Sequence, residues 1–181
     1  MANVILAVSG SVSIYKSCDL ASKLTQAGHR VRTVMTKRAA ELVNPQLFEA
    51  VTHEPAYTSE WGIERKAAMD HIDLAKWGDA LVVAPCSAGL TARLAHGMAD
   101  DLVTTVALAF PTTKPRCVLV AMNPTMLANP AVQRNVNQLV ADGWRSMPPG
   151  VGTMACGDVG AGRLPEPADV IAWLQPHLVT R

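Results

Sequence analysis

The donor groups best suited to hold an anion lie in the turn after the first apolar segment of the chain. The turn Gly10-Ser11-Val12-Ser13 offers backbone N–H groups at a predicted helix N-terminus together with two hydroxyls. This donor set suits a phosphate dianion. The turn is not the GxGxxG of dinucleotide-binding folds, and it lacks the GK[ST] of a P-loop. A serine-rich helix N-cap without any ligand is therefore the alternative interpretation.

Two further hydroxyls strengthen the phosphate hypothesis. Thr36 and Ser87 each follow a later apolar segment, so three hydroxyl-bearing turns would meet at one edge of a parallel sheet. No acidic residue stands at the end of the second apolar segment, where the ribose of NAD usually meets one. The pattern therefore favours a mononucleotide over NAD.

Candidates for proton transfer and substrate binding are His71, Asn123 and Cys156. His71 stands beside Asp70 and Asp73, and a carboxylate can hold an imidazole tautomer or raise its basicity; a surface histidine at a helix start is the alternative. Asn123 follows a buried segment and can present both an amide donor and an acceptor to a ligand, although Asn before Pro is also a common turn. Cys156 lies in a glycine-rich loop, where a thiol either acts as acid or nucleophile or is incidental.

Metal ligation is not indicated by the sequence. The Asp100-Asp101 pair precedes a predicted helix, where we expect it to act as N-cap and dipole partner. The four cysteines are widely spaced without a CxxC pair, so neither a zinc site nor a redox dithiol is predicted. Reduced thiols and a start without a secretory leader predict a cytoplasmic location.

Alternating strands and helices must position these residues. Short aliphatic runs predict strands at residues 3–8, 31–35, 80–84 and 117–121. Apolar residues at helical spacing predict helices over residues 14–27, 90–96, 101–110, 130–141 and 169–174. The alternation predicts a doubly wound, Rossmann-like (flavodoxin-like) three-layer α/β sandwich with a parallel sheet. Ligands bind outside the carboxyl ends of such strands, so the segments 9–13, 36–38, 85–90 and 121–124 should converge.

The chain of 181 residues is predicted to form one domain, residues 1–181, because neither a repeat nor a linker interrupts it. Residues 148–167 carry five glycines and four prolines. This composition predicts a long loop, and loops of that length are usually functional or disordered.

The balance of charged residues indicates which kinds of partner the chain can bind. Lys and Arg number 16 against 15 Asp and Glu, so no uniform field attracts nucleic acid or an anionic membrane. Only 17% of residues are charged while 49% are apolar, which predicts that other subunits cover part of the surface. No apolar run approaches the roughly 20 residues that span a bilayer. The prediction is an oligomer that binds neither nucleic acid nor membrane.

Taken together, the motifs resemble those of the flavin-containing cysteine decarboxylases. This is the family of phosphopantothenoylcysteine decarboxylase and of the peptidyl-cysteine decarboxylases that modify the C-terminus of ribosomal peptides. The resemblance covers nearly the whole chain. It is carried by residues 10–16, 71–74, 97–102, 121–126, 129–131 and 155–167, which read GSVSIYK, HIDL, GMADDL, AMNPTM, NPA and ACGDVGAGRLPEP.

The resemblance implies an FMN cofactor held between the subunits of a homotrimer, with trimers that can gather into a dodecamer. It implies that His71 is the catalytic base, that Asn123 binds the substrate carboxylate or the adjacent amide, and that Cys156 donates the late proton. Met126 would join Asn123 in contacting the substrate, and the loop of residues 148–167 would close over it. The residues implied to contact FMN are Gly10, Ser11, Val12, Ser13, Thr36, Ser87, Ala88, Gly89, Leu90 and Ala121.

The implied reaction is the oxidative decarboxylation of a cysteine whose amine is acylated and whose carboxylate is free. Loss of CO2 alone would leave electrons at Cα without an acceptor; oxidation to a thioaldehyde by flavin provides one, and an enethiolate remains. The substrate is either 4'-phosphopantothenoylcysteine or the C-terminal Cys of a ribosomal precursor peptide. A flavin prenyltransferase-like enzyme and a non-catalytic FMN-binding regulatory subunit are the alternative functions.

The chain departs from the family pattern at several positions. Residues 85–90 read PCSAGL where the family has Pro-Ala/Ser-Ser/Thr-Ala-Asn-Thr, so Gly89 and Leu90 replace the Asn and Thr that would touch the flavin. Val120 replaces a proline, and Leu127 replaces an aromatic residue. The changes at Gly89 and Leu90 imply weaker or rearranged FMN contacts. Together the departures bear on the identity of the substrate more than on that of the cofactor.

Overall fold

The computed structural model describes residues 1–61 and 68–178 of the chain. In that part the strands are β1 (Asn3–Val8), β2 (Arg30–Met35), β3 (Ala56–Tyr57), β4 (Ala80–Cys86), β5 (Arg116–Val120), β6 (Arg145–Ser146), β7 (Gly150–Thr153) and β8 (Val159–Arg163). The α-helices are α1 (Ile14–Gln26), α2 (Lys37–Leu42), α3 (Pro45–Thr52), α4 (Asp70–Trp77), α5 (Ala88–Ala95), α6 (Leu102–Ala109), α7 (Pro124–Ala128), α8 (Pro130–Ala141) and α9 (Pro167–Leu174). A short 3-10 helix, Gln175–His177, follows α9.

Strands β1 to β6 form one parallel sheet in the order β3-β2-β1-β4-β5-β6. This is the order of Rossmann-type doubly wound sheets, in which the winding reverses between β1 and β4. The predicted parallel α/β fold is therefore confirmed. Ligands of such sheets bind outside the carboxyl ends of the strands near that reversal, so the turns after β1 and β4 lie where a site is expected.

Helices cover both faces of the sheet because its central strands are aliphatic on both sides. Val4, Leu6 and Val8 of β1 belong to a core shared with α1, α3 and α9. Ile5 and Ala7 belong to a second core shared with α4, α5, α6 and α8. The sheet is thus the middle layer of the predicted three-layer sandwich.

Polar residues begin the helices that follow the strands. Thr36, Ser87 and Asn123 each accept a hydrogen bond from a backbone N–H of α2, α5 or α7. Asp101 caps α6 in a reciprocal capping box with Thr104, which confirms the structural role predicted for it. Part of the polar pattern after the strands therefore reflects helix initiation.

The prediction that residues 148–167 form a long loop is wrong. Strands β7 and β8 form an antiparallel hairpin there. The sequence does not indicate these strands, because they are rich in glycine and glycine is depleted in ordinary strands. The glycines allow close approach instead. Gly162 has a φ of 139°, a Cβ on it would overlap the carbonyl oxygen of Met122, and Met122 N donates to Gly162 O at 3.0 Å. The hairpin thereby lies against the chain that leaves β5.

Other differences concern short elements. The two-residue strands β3 and β6 and the five- and six-residue helices α7 and α2 are too short to give a periodic signal. The eight-residue helices α3 and α4 are also absent from the predicted elements. Within residues 1–61 and 68–178, none of the helices has both the length and the apolar character needed to cross a membrane.

Candidate functional site

A cavity of about 450 Å³ opens at the carboxyl ends of β1 and β5. The turn after β1 and the start of α1 form one wall, and the hairpin of β7 and β8 forms the opposite wall. The described residues that line it are 11–13, 15–16, 121–123, 153–156 and 162–164. We call it the hairpin cavity.

The turn after β1 offers the hairpin cavity a set of hydrogen-bond donors. The hydroxyls of Ser11 and Ser13 are 3.0 Å apart. Ser13 is the N-cap of α1, yet its side chain makes no cap hydrogen bond, whereas Thr36 and Ser87 do cap their helices. The backbone N–H groups in the first turn of α1 therefore donate no hydrogen bond to the side chain of the N-cap residue. The helix dipole adds partial positive charge at the same place. This donor set fits a phosphate group.

The predicted convergence of the turns is confirmed by their contacts. Ser9 Oγ donates to Pro85 O at 2.8 Å and accepts from Ser87 N at 2.9 Å, which joins the turn after β1 to the turn after β4. Gly10 lies against the stem of Arg38, and a Cβ on this glycine would overlap it. The turn after β2 therefore also packs against the turn after β1.

The remaining predicted flavin contacts have different surroundings. Thr36 is buried, and its hydroxyl accepts from Ala39 N at 3.2 Å. The Leu90 side chain is buried in the core, so it presents only backbone to a ligand. Gly89 borders open space, because a Cβ on it would meet no described atom within 4 Å. Ala88 lies beside these residues in the first turn of α5.

Three side chains meet where the hairpin approaches the end of β5. Asn123 Nδ2 donates to Asp158 Oδ2 at 2.6 Å and to Cys156 Sγ at 3.4 Å. Asn123 Oδ1 accepts from Thr125 N at 2.8 Å as the cap of α7. In this arrangement the Asn123 oxygen caps α7 and the NH2 group faces the hairpin; that Asn123 offers a ligand both a donor and an acceptor stays a prediction. Met126 is half-exposed in α7, outside the described lining of the cavity.

His71 lies in the first turn of α4, away from this cluster. Its Nδ1 is 2.6 Å from Glu60 Oε2, and both side chains are largely buried, at 25% and 14% exposure. Glu60 lines a second cavity of about 740 Å³. We call it the acidic cavity, because Glu41, Asp100 and Asp101 also line it and Lys37 is its lone cation among the described lining residues.

The charged residues of the hairpin cavity are cationic. Of the described lining residues, only Lys16 and Arg163 carry charge. Lys16 is buried, and its Nζ donates to Glu166 Oε1 at 2.7 Å and to Leu164 O at 2.9 Å. The hydrogen bond from Lys16 lowers the pKa of Glu166. Lys16 thus ties the start of α1 to the segment between the hairpin and α9.

The four cysteines differ in how deeply their thiols are buried. Desolvation raises the pKa values of Cys86 and Cys117 to about 12, so these thiols are inert structural groups. Cys18 is half-buried, and burial raises its pKa as well. Cys156 is exposed at the hairpin tip. Among described residues no group of three or more His, Cys, Asp or Glu is placed to hold a metal.

The structure thus gathers part of the predicted site. Ser11, Val12, Ala121, Asn123 and Cys156 line one cavity, while His71 stands beside the other. Sequence reasoning missed four residues that the geometry singles out: Lys16, Glu60, Asp158 and Arg163. Lys16 and Asp158 lie inside the GSVSIYK and ACGD motifs, which could have indicated them, whereas no local signal marks Glu60.

A doubly wound sheet with a donor-rich turn at its winding reversal defines a protein of the nucleotide-binding α/β class. The chain belongs to the flavoprotein family, whose profile matches residues 1–178. It is 42% identical over 175 residues, 97% of its length, to the coenzyme A biosynthesis bifunctional protein CoaBC of Bacillus subtilis. The chain spans 43% of the length of that relative.

Other relatives match along their whole length. A probable phosphopantothenoylcysteine decarboxylase of Streptococcus mutans is 38% identical, with 97% of this chain and 98% of that protein covered. The structure of a mutant PPC decarboxylase complexed with pantothenoylaminoethenethiol superposes with a TM-score of 0.87 at 32% identity, covering 97% of each chain. The FMN-dependent cysteine decarboxylase SpaF gives a TM-score of 0.80 at 30% identity, covering 99% of this chain and 98% of that chain.

Proposed function

We propose that this chain is an FMN-dependent cysteine decarboxylase acting on 4'-phosphopantothenoylcysteine. The observation that carries the proposal is the meeting of the Asn123 amide and the Cys156 thiol, 3.4 Å apart, beside the donor-rich start of α1. Such a reaction needs a donor for the substrate carboxylate and a proton source at one place. Membership of the flavoprotein family and similarity to two named decarboxylases support the proposal.

The turn after β1 would hold the cofactor. Ser11 and Ser13 supply hydroxyls for the FMN phosphate, and Val12 and Ala121 line the same cavity. The other predicted contacts, at residues 10, 36 and 87–90, lie in the adjoining turns. Bound FMN supplies a two-electron acceptor for the Cβ–S unit of the substrate cysteine, which an acylated cysteine otherwise lacks.

The groups around the hairpin would handle the reacting end of the substrate. The NH2 group of Asn123 donates to the substrate carboxylate and fixes its position until CO2 leaves. Cys156, at the hairpin tip, would then supply the proton that, together with a hydride from reduced FMN, saturates the decarboxylated product. Met126 lies one helical turn from Asn123 and would contact the substrate chain. The hairpin itself would cover the substrate and exclude water.

His71 would act as the base, positioned by Glu60. A carboxylate at Nδ1 fixes the tautomer in which Nε2 is free to accept a proton. Because His71 stands beside the acidic cavity, we propose that a second copy of the chain brings its His71 to the hairpin cavity. Around that cavity Val12, Tyr15 and Val159 expose 70%, 62% and 74% of their surface, and such apolar exposure is typical of an interface.

We further propose that the copies form the homotrimer that the family resemblance implies, with a dodecamer of four trimers as the larger form, and that the protein works in the cytoplasm. We propose the phosphorylated substrate over a peptide because it carries a second anionic group, which can compete with Glu166 for Lys16 and Arg163. Lys16 and Arg163 are the charged described residues of the cavity, and a second anionic group on the substrate would be attracted to them.

The proposal is tested on the purified protein. We expect flavin bands in its visible spectrum, and loss of one CO2 from phosphopantothenoylcysteine by mass spectrometry. A peptide ending in Cys serves as the comparison substrate, and we expect slower loss from it. A colourless protein that does not take up added FMN would contradict the proposal, as would a flavin-loaded protein that decarboxylates neither compound.

A further inference from the structure

Asp158 is held at the hairpin tip by the backbone. Met154 N donates to Asp158 O at 2.7 Å, and Gly157 N donates to Met154 O at 3.0 Å. The side chain points back toward β5, where its Oδ2 lies 2.6 Å from Asn123 Nδ2 and 3.5 Å from Cys156 Sγ. A single carboxylate oxygen thus contacts both residues assigned to the reacting end of the substrate.

Both ends of the Asn123 amide contact the protein in this arrangement. Its oxygen caps α7 through Thr125 N, and its NH2 group donates to Asp158 and to Cys156. Asp158 Oδ2 makes the shorter of the two contacts of the NH2 group, so a substrate carboxylate that takes that position displaces the Asp158 carboxylate. Two carboxylates sharing that place would repel each other, so the two occupancies exclude one another.

We infer that Asp158 is a specificity-determining residue whose carboxylate occupies Asn123 in the absence of substrate and competes there with the carboxylate of a bound ligand. The inference rests on the proposed function. Asp158 is exposed, so water can solvate it once it is displaced, and the hairpin tip moves with it because its backbone is tied to Met154.

The same exchange would act after the reaction. When CO2 has left, the product no longer carries the group that displaced Asp158. The Asp158 carboxylate then returns to Asn123. A substrate that binds through Asn123 must displace this carboxylate, whereas the decarboxylated product need not. Asp158 thereby competes with the carboxylate of the acid, whereas the decarboxylated product does not meet that competition.

The test compares two ligands on the FMN-loaded protein by isothermal titration calorimetry. One is the substrate analogue in which serine replaces cysteine, and the other is the same compound without its carboxyl group. We expect Asp158→Asn to tighten binding of the acid about tenfold, because a charge-assisted competitor is removed. Binding of the neutral compound should change less than about twofold.

Two controls separate this effect from a general change in charge or folding. Asp169→Asn removes a carboxylate from the first turn of α9 and should leave both affinities unchanged. In an Asn123→Ala background the effect of Asp158→Asn should vanish, because a double-mutant cycle isolates the coupling between the two side chains. Asp158→Ala provides a second variant, because the amide introduced by Asp158→Asn can itself accept a hydrogen bond from Asn123.

The outcomes distinguish the two claims. Equal effects on the acid and the neutral compound, or weaker binding of the acid, would overturn the role of Asp158 while leaving decarboxylation intact. If neither compound binds and the loaded protein releases no CO2 from phosphopantothenoylcysteine, the proposed function fails, and the inference fails with it.

Discussion

The hairpin cavity and the acidic cavity lie at the same edge of one sheet, yet their charged groups are opposite in sign. The first follows β1 and β5 and carries Lys16 and Arg163; the second lies beyond β2 and β3 and carries acidic residues including Glu60. In the second, the hydrogen bond from Arg93 lowers the pKa of Asp100, so this carboxylate stays ionised. Glu166 lies 2.7 Å from Lys16 Nζ and 3.8 Å from Arg163, so an anion that binds in the first cavity competes with this carboxylate.

The difference shows that binding groups and the proposed base are separated within one chain. Asn123 and Cys156 belong to the cationic cavity, whereas His71 pairs with Glu60 of the acidic one. Sheet order explains the separation, because β1 and β4 stand between β2 and β5. Under the proposed function, the reaction would draw on the hairpin cavity of one copy and on His71 of another. The following experiments test this division.

The largest expected effect is that of His71→Asn. We expect decarboxylation to fall at least ~100-fold, because a positioned acid or base contributes about 10²- to 10⁴-fold. The flavin absorbance should persist, since the phosphate-binding turn belongs to the other cavity. Stopped-flow reduction of the flavin by substrate measures the effect, and activity within about fivefold of wild type would remove His71 from the reaction.

Mixing two inactive variants tests whether His71 and Asn123 of different copies form one site. When His71→Asn and Asn123→Ala are unfolded and refolded together, about a quarter of wild-type activity should return, because random assembly pairs the intact halves of two copies at that frequency. Each variant refolded alone is the control. Recovery of no activity would place both residues in a site within one chain.

A change of product is expected next, from Cys156→Ser. The saturated thiol should fall roughly tenfold or more, and an enethiol lighter by two hydrogens should accumulate, because the late proton donor is lost. Mass spectrometry of the product separates the two compounds. Cys18→Ser is the matched control, since Cys18 is half-buried in α1 and should leave the product unchanged. An unchanged product from Cys156→Ser would assign the proton to another group.

A moderate effect is expected for Glu60→Gln. We expect kcat to fall roughly tenfold at similar KM, since Glu60 acts on the tautomer of His71 rather than on the substrate. The downfield imidazole N–H signal of His71 in the proton spectrum should disappear as well. Partial recovery in Glu60→Asp would support the carboxylate, whereas loss of the flavin would indicate that Glu60 only supports the fold.

The smallest effect concerns the acid stability of the hairpin base. The hydrogen bond from Lys16 lowers the pKa of Glu166 below its ordinary value of 4.5, so the pair stabilises the fold above that pH and its contribution is lost as pH falls through the folded-state pKa. Glu166→Gln should remove less than about 1 kcal/mol of stability at pH 7, since Glu166 is exposed. In Glu166→Gln the free energy of unfolding should therefore decrease less between pH 7 and low pH than in wild type.

Urea unfolding at pH 7 and at pH 4 measures this change. Glu41→Gln, which breaks an exposed pair with Arg38 at 2.8 Å, is the matched control. An identical pH dependence in wild type and Glu166→Gln would contradict the assignment.

The strands that carry the site were predictable because their aliphatic runs are continuous. β1, β4 and β5 emerge from sequence within a few residues of their observed ends, and the polar turns after them converge as expected. The hairpin was not predictable, since Gly160 and Gly162 carry no strand signal and are needed for contact with Pro124 and Met122. Glu60 was also missed, because it meets His71 across 11 positions of chain.

What the sequence by itself determined was the layered parallel sheet and the identity of the turn that suits phosphate, because both depend on local patterns of apolar and small polar residues. Tertiary structure alone decided which way the Asn123 amide faces, that Asp158 meets it, and that His71 lies apart from both. Those relations depend on contacts between segments distant in the chain, and no local pattern encodes the geometry of such contacts.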